Sequence, residues 1–224
     1  MGIGQFDWLV AAFPKTVYTV FDTETTGLEP KTNRIVEAGA IRFDSYGISA
    51  RFNTLINPQM PMPAEVSRIN GISDKMLLDQ PVASKALPDF MRFIGTTVLV
   101  AHNAPFDVKF INAELLRLGL SPLKNTIVDT LVFAKEIFPG LPKYSLQELA
   151  KRFGINAIDA HRAEDDARVC MELFLVCLNR LRELKPNLSI ETEKKFDIHS
   201  DEKLELQHEI EEIEDDVLED EYLD

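Results

Sequence analysis

The feature that most constrains the fold is a short apolar run that carries two acidic side chains one residue apart. Residues 17–28 read VYTVFDTETTGL, and the first five of them are β-branched or aromatic, as in a β-strand. Residues two apart in a strand point to the same face, so Asp22 and Glu24 lie side by side at the end of this strand. Such a pair must take up a proton, bind a cation or spread into water. The pattern therefore predicts either a cation site or a solvated strand end.

The rest of the chain alternates strand and helix patterns. A hairpin is predicted from strands at 34–43 and 49–58, because the turn between them contains Asp44, Ser45 and Gly47. Further strands are predicted at 96–102 and 125–130, and helices at 64–70, 74–79, 83–94, 106–119, 145–154 and 163–184, with one more running from the last strand to Ile137. This order predicts an α/β fold with a mixed, mostly five-stranded sheet flanked by helices.

Negative charge is concentrated at the C-terminal end of the sequence. Residues 191–224 contain 16 acidic and 3 basic side chains, which is the whole net charge of −13, and leave 21 of each in residues 1–190. We therefore predict a catalytic domain over 1–187 and an acidic tail over 188–224. The tail carries an apolar stripe at Leu206, Ile210, Ile213 and Val217. It is interpreted as a solvated extension, a docking helix for a partner, or a helix that folds back on the domain.

Composition indicates a cytoplasmic protein with no membrane contact. No apolar run is long enough to span a bilayer, and the N-terminal residues MGIGQFDWLV lack the basic start of a signal peptide. The two cysteines, Cys170 and Cys177, fall seven residues apart in one predicted helix, too far apart for a disulfide. They are predicted to be core residues of a protein in a reducing compartment.

Further acidic residues are predicted to join Asp22 and Glu24. Asp107 ends the stretch AHNAPFD at the start of a helix, and Asp166 ends HRAEDD, with His161 five residues earlier. Open α/β sheets build sites where strands end, and carboxylate oxygens suit hard divalent cations. The sequence therefore predicts a metal site. The neighbouring Asp165 is expected to point elsewhere, into solvent.

Three motifs in order resemble those of DEDD-type 3′–5′ exonucleases of the DEDDh subgroup. They are FDTETTG at 21–27, AHNAPFD at 101–107 and HRAEDD at 161–166. The resemblance covers about residues 16–183. The stretches INGISDKMLLDQP and VDTLVFAKEIFPG also look like bacterial replicative proofreading proteins, namely epsilon subunits of DNA polymerase III and PolC exonuclease domains. The sister subgroup has a tyrosine four residues before the last aspartate, where this chain has Arg162.

The resemblance implies a ribonuclease H-like fold and hydrolysis of terminal phosphodiester bonds of DNA, with release of nucleoside 5′-monophosphates, in replication proofreading or repair. It implies that two divalent metal ions, Mg²⁺ or Mn²⁺, are held by Asp22, Glu24, Asp107 and Asp166. It also implies that His161 is the base that takes a proton from the attacking water, a task suited to histidine near neutral pH. Asp129 is expected to support the site without binding metal.

The resemblance also implies a set of substrate-binding residues, namely Thr25, Thr26, Gly27, Leu28, Asn70, His102, Asn103 and Phe106. Each has an ordinary structural alternative. Residues 25–27 can form a plain turn, Leu28 and Phe106 can be packing residues, and His102 with Asn103 can orient a loop. Proofreading relatives usually have a histidine where this chain has Asn70.

The expected partners are single-stranded or frayed 3′ ends of DNA and a separate DNA polymerase subunit, since this chain shows no polymerase segment. The altered position at Asn70 keeps RNA open as a substrate, so the first alternative is a 3′–5′ exoribonuclease. The second alternative, from another class, is a catalytically silent nucleic-acid-binding or scaffold module. The complete set of four acids and His161 argues against that second alternative.

Overall fold

A mixed five-stranded sheet forms the centre of the protein. The computed structural model describes residues 4–158 and 160–188. The strands are β1 (Tyr18–Thr25), β2 (Ile35–Asp44), β3 (Gly47–Leu55), β4 (Val98–Ala101) and β5 (Ile127–Asp129). Their order is β3-β2-β1-β4-β5, with β1–β2 and β2–β3 antiparallel and β1–β4 and β4–β5 parallel. The predicted α/β fold is confirmed.

Helices cover both faces of the sheet. They are α1 (Trp8–Ala12), α2 (Ala64–Asn70), α3 (Asp74–Leu77), α4 (Ala83–Ile94), α5 (Pro105–Arg117), α6 (Thr130–Ile137), α7 (Leu146–Phe153) and α8 (Ala163–Leu184), with a 3₁₀ turn at Phe13–Lys15. Every predicted helix is present within two residues or so of its expected ends. Helix α1 was not predicted, because five residues are too few to show a helical period.

Strand β1 continues through the two acidic residues of the opening motif. The sequence placed Asp22 and Glu24 at the end of the strand, whereas β1 pairs with β2 as far as Thr25. Glu24 lies directly opposite Glu37 of β2, and the register shifts only after it. Antiparallel pairing therefore fixes the backbone of both carboxylates, which a solvated strand end would leave loose.

The alternation of side chains along the strands divides the core between the two faces of the sheet. Tyr18 of β1 and Phe43 of β2 pack against Phe174 of α8, with ring centroids 5.4 to 5.9 Å apart. Phe21, on the opposite face of β1, packs against Phe90 of α4 at 6.1 Å. Helix α8 is thus pressed against one face of β1 and β2, which brings its first turn to the acidic end of β1.

The N-terminal segment packs against the same side of the domain as α8. The ring of Phe6 lies 4.5 Å from that of Phe133, and Leu9 is fully buried. The carboxylate of Asp7 accepts hydrogen bonds from Lys185 Nζ at 2.7 Å, which ties the segment to the end of α8. These contacts join sequence positions far apart, so the local pattern carried no sign of them.

Both cysteines are free and buried in the core, as predicted. Burial raises the pKa of the Cys177 thiol to about 12 and holds that of Cys170 well above its ordinary value, so both stay protonated. Among the described helices, none combines the length and the apolar character that a bilayer crossing requires. The predicted apolar stripe of the tail lies outside the described residues.

Candidate active site

Three separate segments bring their acidic side chains together at one end of the sheet. Asp22 and Glu24 come from β1, Asp107 from the first turn of α5 just after β4, and Asp166 from the first turn of α8. Strands β1 and β4 are parallel neighbours, so the chain leaves both at the same edge. The structure therefore brings together all four acids that the sequence predicted as metal ligands.

A glycine in β2 allows α8 to reach this edge. A Cβ atom at Gly39 would lie 2.3 Å from the backbone carbon of Ala163 and 2.3 Å from the nitrogen of Glu164. Any larger side chain would push the start of α8 away from the sheet. Close approach at Gly39 therefore sets the depth at which Asp166 enters the site.

Asp107 is fixed by the strand that it faces. Its Oδ1 atom accepts hydrogen bonds from the backbone nitrogen of Thr23 at 3.0 Å and from the Thr23 hydroxyl at 2.7 Å. The side chain is 3% exposed. Thr23 lies between Asp22 and Glu24 in sequence, so one short stretch of β1 positions three of the four carboxylates.

His161 lies at the open side of the cluster. Ligand atoms of Glu24, His161 and Asp166 all lie within 4.8 Å of one another, a spacing that one metal ion can bridge. The backbone nitrogen of His161 donates to Asp166 Oδ2 at 3.1 Å. The residue is exposed and its φ of 65° is in the left-handed region, which is uncommon for a side chain other than glycine. The imidazole is thus both at the carboxylates and open to water.

The carboxylates raise one another's affinity for protons. Burial, followed by the charges of Asp107, Asp166 and Glu24, holds the pKa of Asp22 well above its ordinary value. Burial is likewise the main cause that raises the pKa of Glu24 to about 8 and that of Asp107 to about 7. A hydrogen bond from Asn70 opposes the shift at Glu24, and those from Thr23 oppose it at Asp107. Such a cluster is suited to bind positive charge.

The loop after β1 is a tight, internally bonded turn. The hydroxyl of Thr25 donates to the carbonyl of Gly27 at 2.7 Å, and the Thr26 hydroxyl accepts from the backbone nitrogen of Arg34 at 3.0 Å. A Cβ atom at Gly27 would meet the side chain of Asn33 at 2.6 Å. Leu28, in contrast, projects from the turn and is 84% exposed. The turn thus exposes one large apolar side chain four residues after Glu24.

Asn70, the departure from the proofreading pattern, contacts a predicted metal ligand. Its Nδ2 atom donates to Glu24 Oε2 at 3.3 Å, and its Oδ1 atom accepts from the backbone nitrogen of Ile72 at 3.1 Å. The side chain is 3% exposed. Because Asn70 ends α2, it connects that helix to Glu24 and orients the carboxylate.

The loop after β4 is held by internal hydrogen bonds. His102 Nδ1 lies 3.0 Å from the Thr130 hydroxyl and Nε2 lies 2.9 Å from the carbonyl of Tyr144, while burial lowers the pKa of the imidazole. The backbone nitrogens of Asn103 and Leu131 both donate to Asp129 Oδ1, at 3.0 and 2.9 Å. His102 therefore orients the loop. Asp129 caps α6 and holds the backbone of Asn103, which is consistent with the expected supporting role.

A groove of about 600 Å³ extends from the carboxylates toward basic side chains. Its lining combines two acidic residues with two lysines and polar side chains, namely Asp22, Asp166, Lys135, Lys143, His102, Asn103 and Tyr144. Phe106 lies outside this lining and is half-buried against Phe110, with ring centroids 5.0 Å apart. The groove thus joins an acidic centre to a basic rim.

Two features of the site departed from the sequence analysis. Asp165 is not solvated. It accepts from Arg168 at 2.7 Å and from the backbone nitrogen of Ile158 at 2.8 Å, because the loop before α8 folds over it. Glu37, which is fully buried beside the cluster, was missed. The sequence signal that could have identified Glu37 is an acidic residue in the middle of the apolar run RIVEAGAIRF.

Comparison with known proteins agrees with this geometry. The model of the exonuclease family RNase_T matches residues 19–174. The DNA polymerase III subunit epsilon of Treponema pallidum is 53% identical over 171 residues, which are 75% of this chain and 80% of that protein. The subunit epsilon of Aquifex aeolicus is 34% identical over 164 residues, 73% of this chain and 81% of that protein.

A solved structure, exonuclease X in complex with 5′ overhanging duplex DNA, superposes with a TM-score of 0.61. It is 26% identical, and the match covers 72% of this chain and 91% of that one. Sequence and fold thus point to the same family through independent comparisons. The chain belongs to the exonuclease family and is a 3′–5′ exonuclease of the DNA polymerase III epsilon type.

Proposed function

We propose that this exonuclease proofreads for a replicative DNA polymerase by removing nucleotides from single-stranded or frayed 3′ ends of DNA. The observation that carries the proposal is the convergence of four carboxylates from three segments, two of which, Glu24 and Asp166, have ligand atoms within 4.8 Å of the exposed His161. Relatives named as epsilon subunits of DNA polymerase III support the replicative role.

The residues of the site fit two divalent metal ions, Mg²⁺ or Mn²⁺. Four carboxylates are the oxygen donors that such hard cations prefer, and burial with the neighbouring charges raises the pKa values of Asp22, Glu24 and Asp107, so bound positive charge would be favourable there. We assign Asp22, Glu24, Asp107 and Asp166 as the residues that would hold them. When bound, the two ions would lower the pKa of the attacking water and stabilise the charge that develops on the leaving oxygen.

The chain's own side chains supply positioning and proton transfer. His161 accepts the proton of the attacking water at an imidazole nitrogen, and its exposure lets it return that proton to solvent. The water attacks the terminal phosphorus, and the bond to the 3′ oxygen of the preceding nucleotide breaks. This releases a nucleoside 5′-monophosphate and leaves a new 3′ hydroxyl.

The two sides of the site suggest how the strand lies. On the side of Glu24 the turn of residues 25–28, Asn70 and the half-buried Phe106 surround the place for the terminal nucleotide, with the exposed Leu28 against its base. On the other side the groove leads past Asn103 to Lys135 and Lys143, whose charges suit the phosphates of the preceding nucleotides. The acids are recessed, so a base-paired end must fray before its last phosphodiester can reach them.

The direct test uses end-labelled single strands with Mg²⁺, with Mn²⁺ and with EDTA. A 5′-labelled DNA strand is expected to shorten in a ladder, while a 3′-labelled strand releases its label first as a mononucleotide. Single-stranded DNA is expected to be degraded faster than a matched duplex. Immediate release of a 5′ label as mononucleotide would disprove the direction. Faster cleavage of RNA than of DNA would favour the exoribonuclease alternative, which Asn70 leaves open.

Replacement of His161 by alanine is expected to lower kcat by about 10²-fold or more, because the variant lacks the group that takes the proton. The KM for single-stranded DNA is expected to stay within about twofold, since the imidazole contributes little to binding of the strand. The acidic limb of the pH–rate profile should shift. Added imidazole should restore part of the activity, and it should do nothing for a variant that lacks a carboxylate. An unaltered kcat would leave His161 with a structural role only.

The partner surface is proposed from the acidic segment 188–224. We place the domain boundary just after α8 as an approximate division, since Leu188, the first residue beyond it, packs against the core. We assign residues 1–187 to catalysis and the segment beyond to contact with a polymerase subunit. Association with a bacterial replicative polymerase would place the protein in the cytoplasm.

A further inference from the structure

Glu37, a buried carboxylate next to the four acids of the site, has no role in the proposed mechanism. Glu37 is 0% exposed and lies in β2 directly opposite Glu24. Its Oε1 atom accepts from Arg162 Nη2 at 2.8 Å and from Asn53 Nδ2 at 3.2 Å. Its Oε2 atom accepts from Arg162 Nε at 3.0 Å and from the backbone nitrogen of Ala163 at 3.2 Å. A buried carboxylate needs such a full set of donors to be tolerated.

This arrangement clamps a short piece of chain from two directions. Arg162 donates to the Glu37 carboxylate through Nε and Nη2, and Ala163 donates to it through its backbone N–H. The paired fork of a guanidinium and a carboxylate fixes orientation as well as distance. Residues 162 and 163 are therefore fastened to the central sheet at the point where α8 begins.

His161 immediately precedes the clamped pair of residues. Its φ of 65° is a backbone conformation that costs free energy for any residue with a Cβ atom, and it persists only where neighbouring structure enforces it. On the other side the loop is exposed at Ile158 and Ala160, and the backbone nitrogen of Ile158 donates to Asp165 Oδ2 at 2.8 Å. The contacts next to His161 in sequence are its own backbone bond to Asp166 and, one and two residues later, the bonds of Arg162 and Ala163 to Glu37.

We propose that Glu37 and Arg162 form a positioning pair that holds the His161 imidazole at the carboxylates. The inference rests on the proposed role of His161 as the base. Glu37 does not act as a metal ligand in this account, because both its oxygens already accept two hydrogen bonds from protein donors. The pair acts on the reaction through the place and orientation of His161.

Glu37→Gln tests this role most directly, because it keeps the shape of the side chain and removes its charge. We expect kcat to fall about tenfold or more while KM for single-stranded DNA stays within about twofold. Arg162→Gln, at a partly exposed position, should produce the same split if Glu37→Gln folds poorly. Arg162→Lys, which keeps the charge and loses the fork, should fall between wild type and Arg162→Gln.

A neighbouring ion pair supplies the matched control. Arg51 of β3 pairs with Glu164 at 3.2 Å, and so also links the sheet to the start of α8, but both side chains are exposed and neither bonds to Arg162 or Ala163 in the contacts described above. Arg51→Gln should leave both kcat and KM unchanged. Thermal midpoints of all variants, with the assays run well below them, separate a loss of fold from a loss of positioning.

A double-mutant cycle with His161→Ala decides the question. If Glu37 acts through the imidazole, Glu37→Gln should change the single-turnover rate by less than about twofold once the imidazole is gone. A tenfold further loss in the His161→Ala background would overturn the inference and point to an effect through the opposite residue, Glu24. An unchanged kcat in both Glu37→Gln and Arg162→Gln would also overturn it. If His161→Ala itself retains full activity, the proposed base has failed, which is a separate result.

Discussion

Replacing Asp22 with asparagine is expected to abolish exonuclease activity and, at the same time, to stabilise the metal-free protein. We expect at least about a 10³-fold loss of kcat, which corresponds to about 4 kcal/mol of transition-state stabilisation. The stability effect has the opposite sign. Burial and the charges of Asp107, Asp166 and Glu24 hold the pKa of Asp22 well above its ordinary value, so its ionised form opposes folding. A neutral amide of the same shape removes that repulsion.

The measurement combines single-turnover cleavage in Mg²⁺ with thermal unfolding in EDTA. Asp165→Asn is the matched control, because Asp165 is the next carboxylate on the same helical turn but pairs with Arg168. That control should keep its activity and have a lower midpoint than wild type, since it loses an ion pair. Near-normal Mg²⁺-dependent cleavage by Asp22→Asn, or a lower midpoint in EDTA, would contradict the assignment of Asp22 to the charged cluster.

The second large effect is a dependence of stability on pH that a divalent cation should reverse. In the folded, metal-free protein the pKa of Glu24 is about 8 and that of Asp107 about 7, against ordinary values of 4.5 and 3.8. At pH values between the ordinary and the raised pKa of each group, the folded state binds more protons than the unfolded state. The free energy of unfolding therefore falls as pH rises from about 4 to about 8.5. Below that window both states are protonated at these groups and the loss vanishes.

We expect the thermal midpoint in EDTA to fall by roughly 5 to 10 °C between pH 5.5 and pH 8.5, for a change on the order of 3 kcal/mol. Saturating Mg²⁺ should recover most of that loss at pH 8.5 and have little effect at pH 5.5, where protons compete for the same oxygens. Asp22→Asn should flatten the profile in EDTA. A midpoint in EDTA that rises with pH over this range would show that the carboxylates are not the clustered acids described here.

The sequence by itself determined the class of fold and the identity of the charged residues. The alternating pattern around residues 17–28 and the hairpin at Asp44 to Gly47 are local signals, because side-chain periods of two and the backbone needs of a turn are properties of adjacent residues. The four acids and His161 were found through ordered motifs rather than through geometry. The motifs identify the residues of the site but give no distances between them.

Tertiary structure decided how these residues act together, because those contacts join positions that no local pattern connects. Gly39 sets how closely α8 approaches the sheet, and its own sequence context gave no reason for it to be glycine. Asp165 was expected in solvent, yet its carboxylate accepts from Arg168 of α8 and from the backbone nitrogen of Ile158 in the preceding loop. Glu37 meets Arg162 across 125 positions of sequence. The free energies of burial and of ion pairing depend on which residues are neighbours in space. Only the tertiary structure could therefore show which carboxylates are buried and which are paired.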